Sequence, residues 1–366
     1  MSKIRVCHIC NMGMNGKAIF VCNLLEHTDY ERYDVTVINY RTSYVKSVVS
    51  RLEKLPVSII TPPKGNVLTF CRFLNVFFQQ NRFDVCHAHM WDQSGLFLLI
   101  AHIRGIPVRV AHSHNTSKVK DRYGRFKTLI RDTLIWTVLR NMISAHANRF
   151  VACSEEAAQW LFPASVIRKK QYVIVPNGVD LALFACPNRQ KHSPTKILFA
   201  GRLAIQKNPL FAIQVFHAYL QQDPDARMTM IGRGNLEKTV REEIARLGIE
   251  KRIDIILETD HMPDFYQSAD VFLFPSFYEG LGMTLIEAQA SGLKCLASDA
   301  VPIEAQCGLV VFKPLNDGPL KWAQYITDLL RDDSMAIEKT KLTRYDAKNT
   351  AKIMDRIYTL SDKGRK

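Results

Sequence analysis

Apolar residues fall in short runs separated by polar loops, at a spacing that predicts alternating strands and helices. Ile4-Arg-Val-Cys-His-Ile9 reads as a strand, and a loop over 11–16 follows. Ile19, Val21, Leu24 and Leu25 then mark a helix, and Val35-Thr-Val-Ile38 is a second apolar run. A helix near 67–80, a strand at 85–89, a helix at 94–103 and strands at 108–110, 150–152 and 173–175 continue the pattern. Strand, glycine-bearing loop, helix and strand open a doubly wound α/β domain.

Pro176-Asn177-Gly178 stops this unit, and the polar stretch 185–196, with two prolines, predicts a linker. A second α/β unit starts at Ile197-Leu-Phe-Ala-Gly201. It continues with strands at 227–231, 253–257, 271–274 and 294–298 and a helix from about 283. The expected organisation is an N-terminal Rossmann-like domain over 1–184, the linker 185–196 and a C-terminal Rossmann-like domain over 197–344. In 345–366, Tyr345, Ile353, Ile357 and Leu360 predict a helix crossing back to the first domain. Two such halves imply a ligand cleft between them.

Composition narrows the class. The 366 residues are 47% hydrophobic and 23% charged, and no apolar run approaches the roughly 20 residues that span a bilayer. The N-terminus enters a strand without a secretory signal, so the cytoplasm is the expected location. Nine cysteines in apolar surroundings read as reduced core residues. The net charge of +14 is uneven: residues 1–180 hold 24 Lys+Arg against 12 Asp+Glu, and residues 181–366 hold 25 against 23. A basic half suits nucleic acid, anionic lipid or a phosphorylated substrate, and without an RNP, zinc-finger or KH signature no nucleic-acid partner is expected.

Chemistry concentrates in two loops. In Phe274-Pro-Ser-Phe-Tyr-Glu279-Gly280-Leu281-Gly282-Met-Thr-Leu-Ile-Glu287, an apolar strand runs through a glycine-rich turn into a helix. Two carboxylates bracket the turn, glycines let backbone approach a ligand, and N–H groups at the helix start attract phosphate or sugar oxygen. In Gly201-Arg202-Leu-Ala-Ile-Gln-Lys207-Asn208-Pro209, two cations five residues apart can clamp a diphosphate.

Together these blocks, with Ala111-His-Ser-His-Asn115 and Ala152-Cys-Ser-Glu155, resemble the family-4 retaining glycosyltransferases of the GT-B fold, nearest the bacterial exopolysaccharide and capsule branch. The resemblance implies that Arg202 and Lys207 neutralise the donor diphosphate and Glu279 holds the donor sugar. It also implies that Gly280, Leu281 and Gly282 approach sugar and phosphate through backbone and that Glu287 binds the ribose. Neither metal nor cofactor is then required. The donor partner would be a nucleotide sugar, most simply a UDP-sugar, and the acceptor a lipid-linked saccharide. The first loop keeps one family glycine, Gly16, followed by Lys17; before the glutamate block stand Glu258 and Asp260.

The pairs His87/His89 and His112/His114 each share one strand face, and adjacent strands bring all four together. They read either as a metal site or, as the resemblance implies, with His114 contacting sugar and His87 and His112 structural. Residues 118–149 combine eight Lys/Arg with an apolar stripe, reading as an ordinary packed helix or a surface for anionic membrane, hence peripheral attachment at the inner face. The other classes left open are a non-hydrolysing UDP-sugar epimerase and a polyanion-binding protein.

Overall fold

The computed structural model describes residues 2–13, 16–40, 46–114, 126–187 and 189–359, and of residues 16, 46, 47 and 126–134 the backbone alone. The chain divides into two compact units, Met1–Gly178 with Ala347–Lys366, and Val179–Asp346.

In the first unit, strands β1 (Ile4–Cys10), β2 (Tyr33–Asn39), β3 (Val57–Ile60), β4 (Val85–Ala88), β5 (Val108–Ser113), β6 (Arg149–Ala152) and β7 (Val173–Ile174) form one parallel sheet, ordered β3-β2-β1-β4-β5-β6-β7. Side chains alternate between two buried layers. Cys7, Ile9, Cys86, Ala88 and Ala111 face one core, and Val6, Cys10, Val35, Val85 and Val110 face the other. Cys7 and Cys10 therefore point to opposite faces and form no shared metal knuckle. Burial on both faces is why these strands read as nearly continuous apolar runs. The helix Ala347–Thr359 belongs to this unit, packing Met354, Ile357 and Tyr358 beside Val6 and Phe20. Its Asp355 accepts from the Tyr33 hydroxyl at 2.6 Å and pairs with Arg32 at 2.8 Å.

The second unit repeats the plan. Strands β8 (Lys196–Ala200), β9 (Arg227–Ile231), β10 (Ile253–Ile256), β11 (Val271–Phe274), β12 (Lys294–Ser298) and β13 (Val310–Lys313) are parallel, ordered β10-β9-β8-β11-β12-β13. Ile197, Phe199, Val271 and Leu273 fill one core, while Leu198, Ala200, Phe272 and Phe274 fill the other. In each sheet the strand order reverses direction once, at β1/β4 and at β8/β11. Ligands in doubly wound sheets bind at such switch points, beyond the carboxyl ends of the strands. Two Rossmann-like units of this kind are the GT-B architecture.

The division falls at Gly178/Val179, ahead of the stretch expected to be a linker. The Val179 N–H bonds the Tyr345 carbonyl at 2.7 Å, and Phe184 is buried in the second unit's core. Arg189 and His192, within that stretch, are pinned there too. Arg189 donates to the carbonyls of Tyr266, Ala269 and Ser291, and His192 binds Asp270 through its N–H and ring.

Candidate functional site

Two loops meet at the switch point of the second sheet. The first leaves β8 through Gly201, passes a 3₁₀ turn over Ile205–Lys207, and enters the helix Pro209–Tyr219 through Asn208, whose φ is +53°. It is seated on the loop after β9: Gly201 N–H bonds the Ile231 carbonyl at 2.9 Å, and Leu203 N–H bonds the Arg233 carbonyl at 2.9 Å. A Cβ at Gly232 would stand 2.1 Å from the Gly201 carbonyl oxygen, so that close approach requires glycine. Leu203 is wholly buried, which fixes the backbone carrying Arg202 and Lys207.

The second loop leaves β11 at Phe274. Pro275 and Ser276 are buried, Phe277 and Tyr278 are exposed, and Gly282, at φ +82°, opens the helix Met283–Ala290. The Ser298 hydroxyl donates to the Ser276 carbonyl and ties this loop to β12.

Register between β8 and β11 pairs Val271 with Ile197 and Phe272 with Leu198, which brings the loop ends together. Lys207 Nζ lies 2.6 Å from Glu279 Oε1, with side-chain exposures of 14% and 7%. The same ammonium stands 4.6 Å from the Phe274 ring centroid, a cation–π contact of about 0.5–2 kcal/mol. Gln206 bridges the loops: Arg202 Nη2 donates to its side-chain oxygen at 2.7 Å, and its amide donates to the Tyr278 carbonyl at 3.1 Å. Its own carbonyl accepts from the Phe277 N–H at 2.9 Å. Glu287, in the second turn of its helix, accepts a 2.9 Å bond from the buried Tyr266 hydroxyl. Burial, with Glu287 alongside, raises that phenol well above its usual pKa, so it is a fixed donor.

Arg202, Lys207, Glu279, Gly280, Leu281, Gly282 and Glu287 thus occupy adjoining segments beyond the carboxyl ends of the two central strands of the second sheet. Gln206 and Tyr266 were missed by sequence reasoning; a neutral amide and an isolated tyrosine carry no motif. The buried hydroxyls of Ser276 and Thr284 in the same loop and helix have no hydrogen-bond partner among the described residues.

In the first unit, the strand ends gather five buried histidines. His8 Nδ1 lies 3.1 Å from His89 Nε2, His89 Nδ1 lies 2.8 Å from His114 Nε2, and His114 Nδ1 lies 3.2 Å from Asn177 Oδ1. With Asn177 as acceptor, the protons run in one direction: His8 donates to His89, His89 to His114, and His114 to Asn177. One neutral tautomer of each ring satisfies the chain. A second chain joins the Tyr358 hydroxyl to His87 at 2.7 Å and His87 to His112 at 3.0 Å. Burial lowers His8 to about 3, and burial with Lys17 nearby lowers His114 to about 3. His87, His89 and His112 are pushed well below the usual range by burial and one another's charge.

The pairs expected to converge do so, and His8, unnoticed in the sequence, joins them. Ring nitrogens of His8, His87 and His89, and of His89, His112 and His114, lie within 4.8 Å of one another, close enough to hold an ion. Gly16 opens the helix Gly16–Glu26, and the neighbouring Lys17 ammonium sits 4.8 Å from the Trp91 ring centroid. Trp91, just beyond β4, has φ +53°, a strained conformation for a bulky residue that no sequence signal announces. Asn115 lies outside the described residues.

Residues 14–183 match the family described as Glycosyltransferase Family 4, and residues 187–348 match Glycosyl transferases group 1. The chain belongs to these glycosyltransferases, which decides among the classes left open by the sequence. It is 31% identical to a protein named as a glycosyltransferase, EpsF, of Bacillus subtilis (strain 168), over 98% of this chain and 97% of that one. It is 22% identical to the UDP-Gal:alpha-D-GlcNAc-diphosphoundecaprenol alpha-1,3-galactosyltransferase of Escherichia coli, over 81% and 80%. In fold it is similar to Anabaena HepE, solved in complex with UDP and glucose, with a TM-score of 0.77, 16% identity, and coverage of 98% of this chain and 100% of that one.

Proposed function

We propose that this chain transfers a hexose from a UDP-sugar to a lipid-linked or saccharide acceptor in cell-surface polysaccharide assembly, retaining anomeric configuration and using no metal. The observation that carries the reading is the 2.6 Å approach of Lys207 to Glu279 at the switch point of the second sheet. It sets a cation for phosphate beside a carboxylate for hydroxyls, the order in which a nucleotide sugar presents them. Arg202 would grip the diphosphate as a fork and Lys207 as a point charge, stabilising the charge that grows on the leaving group. Glu279 would accept from sugar hydroxyls, and Gly280, Leu281 and Gly282 would approach through backbone. Glu287, steadied by Tyr266, would accept from the ribose. His114 would contact sugar by giving up one of its two ring hydrogen bonds, and the loop at Gly16 would border the acceptor. UDP in the HepE complex and the diphospholipid acceptor in the E. coli relative's name support the donor and acceptor classes.

A thermal-shift panel of UDP-, GDP- and ADP-sugars tests the donor. A UDP-sugar at a hundred times its Kd should stabilise by about 2.7 kcal/mol, and the others should not. Stabilisation by a GDP- or ADP-sugar alone would refute the base. Transfer should survive excess EDTA; strict dependence on Mg²⁺ or Mn²⁺ would refute the metal-free reading and direct attention to the histidines.

Among the described residues no helix is long and apolar enough to cross a membrane. Peripheral attachment is the reading for the basic half, centred on 118–149, where residues 118–125 and the side chains of 126–134 lie outside those described. Each basic residue near an anionic surface contributes about 1 kcal/mol. The protein should co-sediment with anionic vesicles, should not with zwitterionic ones, and should lose binding as salt rises. Lys120→Glu with Arg125→Glu and Lys127→Glu should abolish sedimentation and spare donor binding. Equal binding to neutral vesicles would return the segment to ordinary packing.

A further inference from the structure

Building on the donor reading above, we infer that Glu279 sets the preference of the site for intact donor over spent nucleoside diphosphate, by competing with the β-phosphate for Lys207.

The geometry gives the competition a physical basis. The Glu279 side chain is 7% exposed and Lys207 is its cation at 2.6 Å. Phe274 beneath the ammonium is almost wholly buried, so little water can replace a lost partner on that side. A diphosphate bound through Arg202 and Lys207 either draws Lys207 away from Glu279 or brings a second anion against the carboxylate. Both outcomes are unfavourable for a group already taken out of water. An intact donor carries its own remedy, because the sugar attached to the β-phosphate supplies hydroxyl donors where the ammonium had been. Free nucleoside diphosphate has none and bears the whole penalty. Glu279 therefore weakens product more than substrate, and product leaves once the sugar has gone. A nucleoside monophosphate has no β-phosphate to recruit Lys207 and should not feel the carboxylate.

Calorimetric titration of wild type and Glu279→Gln with UMP, UDP and UDP-glucose tests this. Glutamine keeps the shape and removes the charge. UDP should bind the variant about tenfold more tightly, the scale of one charge contact. UMP affinity should be unchanged, which also reports that the variant is folded, and UDP-glucose should gain less than UDP or lose affinity. UDP binding no tighter in Glu279→Gln than in wild type, with UMP binding intact in both, overturns this inference and leaves the donor assignment standing. Wild-type protein that binds neither UMP nor UDP overturns both.

Discussion

Replacing Lys207 with alanine is expected to lower kcat by roughly 10²–10³-fold, the cost of removing one preorganised donor from developing negative charge. The loss should exceed what a solvated lysine could cause, because its ammonium is held between Glu279 at 2.6 Å and the Phe274 ring at 4.6 Å. The variant also leaves a 7%-exposed carboxylate without that cation, a cost to stability of up to about 3–5 kcal/mol for a fully buried pair. A melting curve should therefore accompany the kinetics. Glu279→Gln should cut turnover sharply as well, since the reacting sugar loses its charged acceptor. Glu287→Ala should behave differently: its carboxylate lies eight residues beyond Glu279 and is anchored by Tyr266, and its removal should raise KM while kcat stays within a few-fold of wild type. Near-native kcat for both Lys207→Ala and Glu279→Gln would refute the site.

These residues were visible in the sequence because their loops follow fully buried strands. Ile197-Leu-Phe-Ala and Val271-Phe-Leu-Phe are unbroken apolar runs that stop at glycine or proline, so the charged residues after them stand out. Two of the four edge strands, β3 and β13, lack this contrast. Val57–Ile60 and Val310–Lys313 are partly exposed, and neither emerges from the periodicity. The unit boundary was also hidden. Val179 is held by Tyr345, a long-range backbone bond, and Asp180 caps the short helix Leu181–Phe184, whereas a linker is read from local polarity alone. Pairing at a distance is equally illegible: Lys207 and Glu279 are 72 residues apart and Tyr266 and Glu287 are 21 apart. Their motifs announced ligand contacts, and nothing in them announced that the contacts satisfy one another beforehand. His8 reads as a polar interruption of β1, and its partners come from strands that only the sheet order places beside it.

The buried histidines make the first unit acid-sensitive. In the native state His8 and His114 are lowered to about 3, and His87, His89 and His112 also lie well below 6.5, chiefly because burial penalises the charged ring. In the unfolded chain all five return to the ordinary value near 6.5. Between about 3 and 6.5 the unfolded state therefore binds more protons, so stability is full above pH 6.5 and falls as pH drops toward 3. His8 and His114 each cost about 2 kcal/mol by pH 5, where most exposed carboxylates are still ionised in both states, and the other three act in the same direction. The fall should be steep, because His89 and His114 have both ring nitrogens engaged, one donating and one accepting, so an extra proton on either breaks a bond. Trp91, Trp136 and Trp160 all lie in this unit, so urea denaturation followed by tryptophan fluorescence can report its unfolding. The free energy should drop by several kcal/mol between pH 7 and pH 5, with a slope corresponding to more than one proton. Replacing Tyr358 with phenylalanine should leave that slope and lower the whole curve by about 1–3 kcal/mol, since it removes a buried partner of His87 without changing the number of titrating rings. A stability that stays flat from pH 7 to pH 5 would mean that the rings are protonated equally in both states, and the neutral histidine network would have to be abandoned.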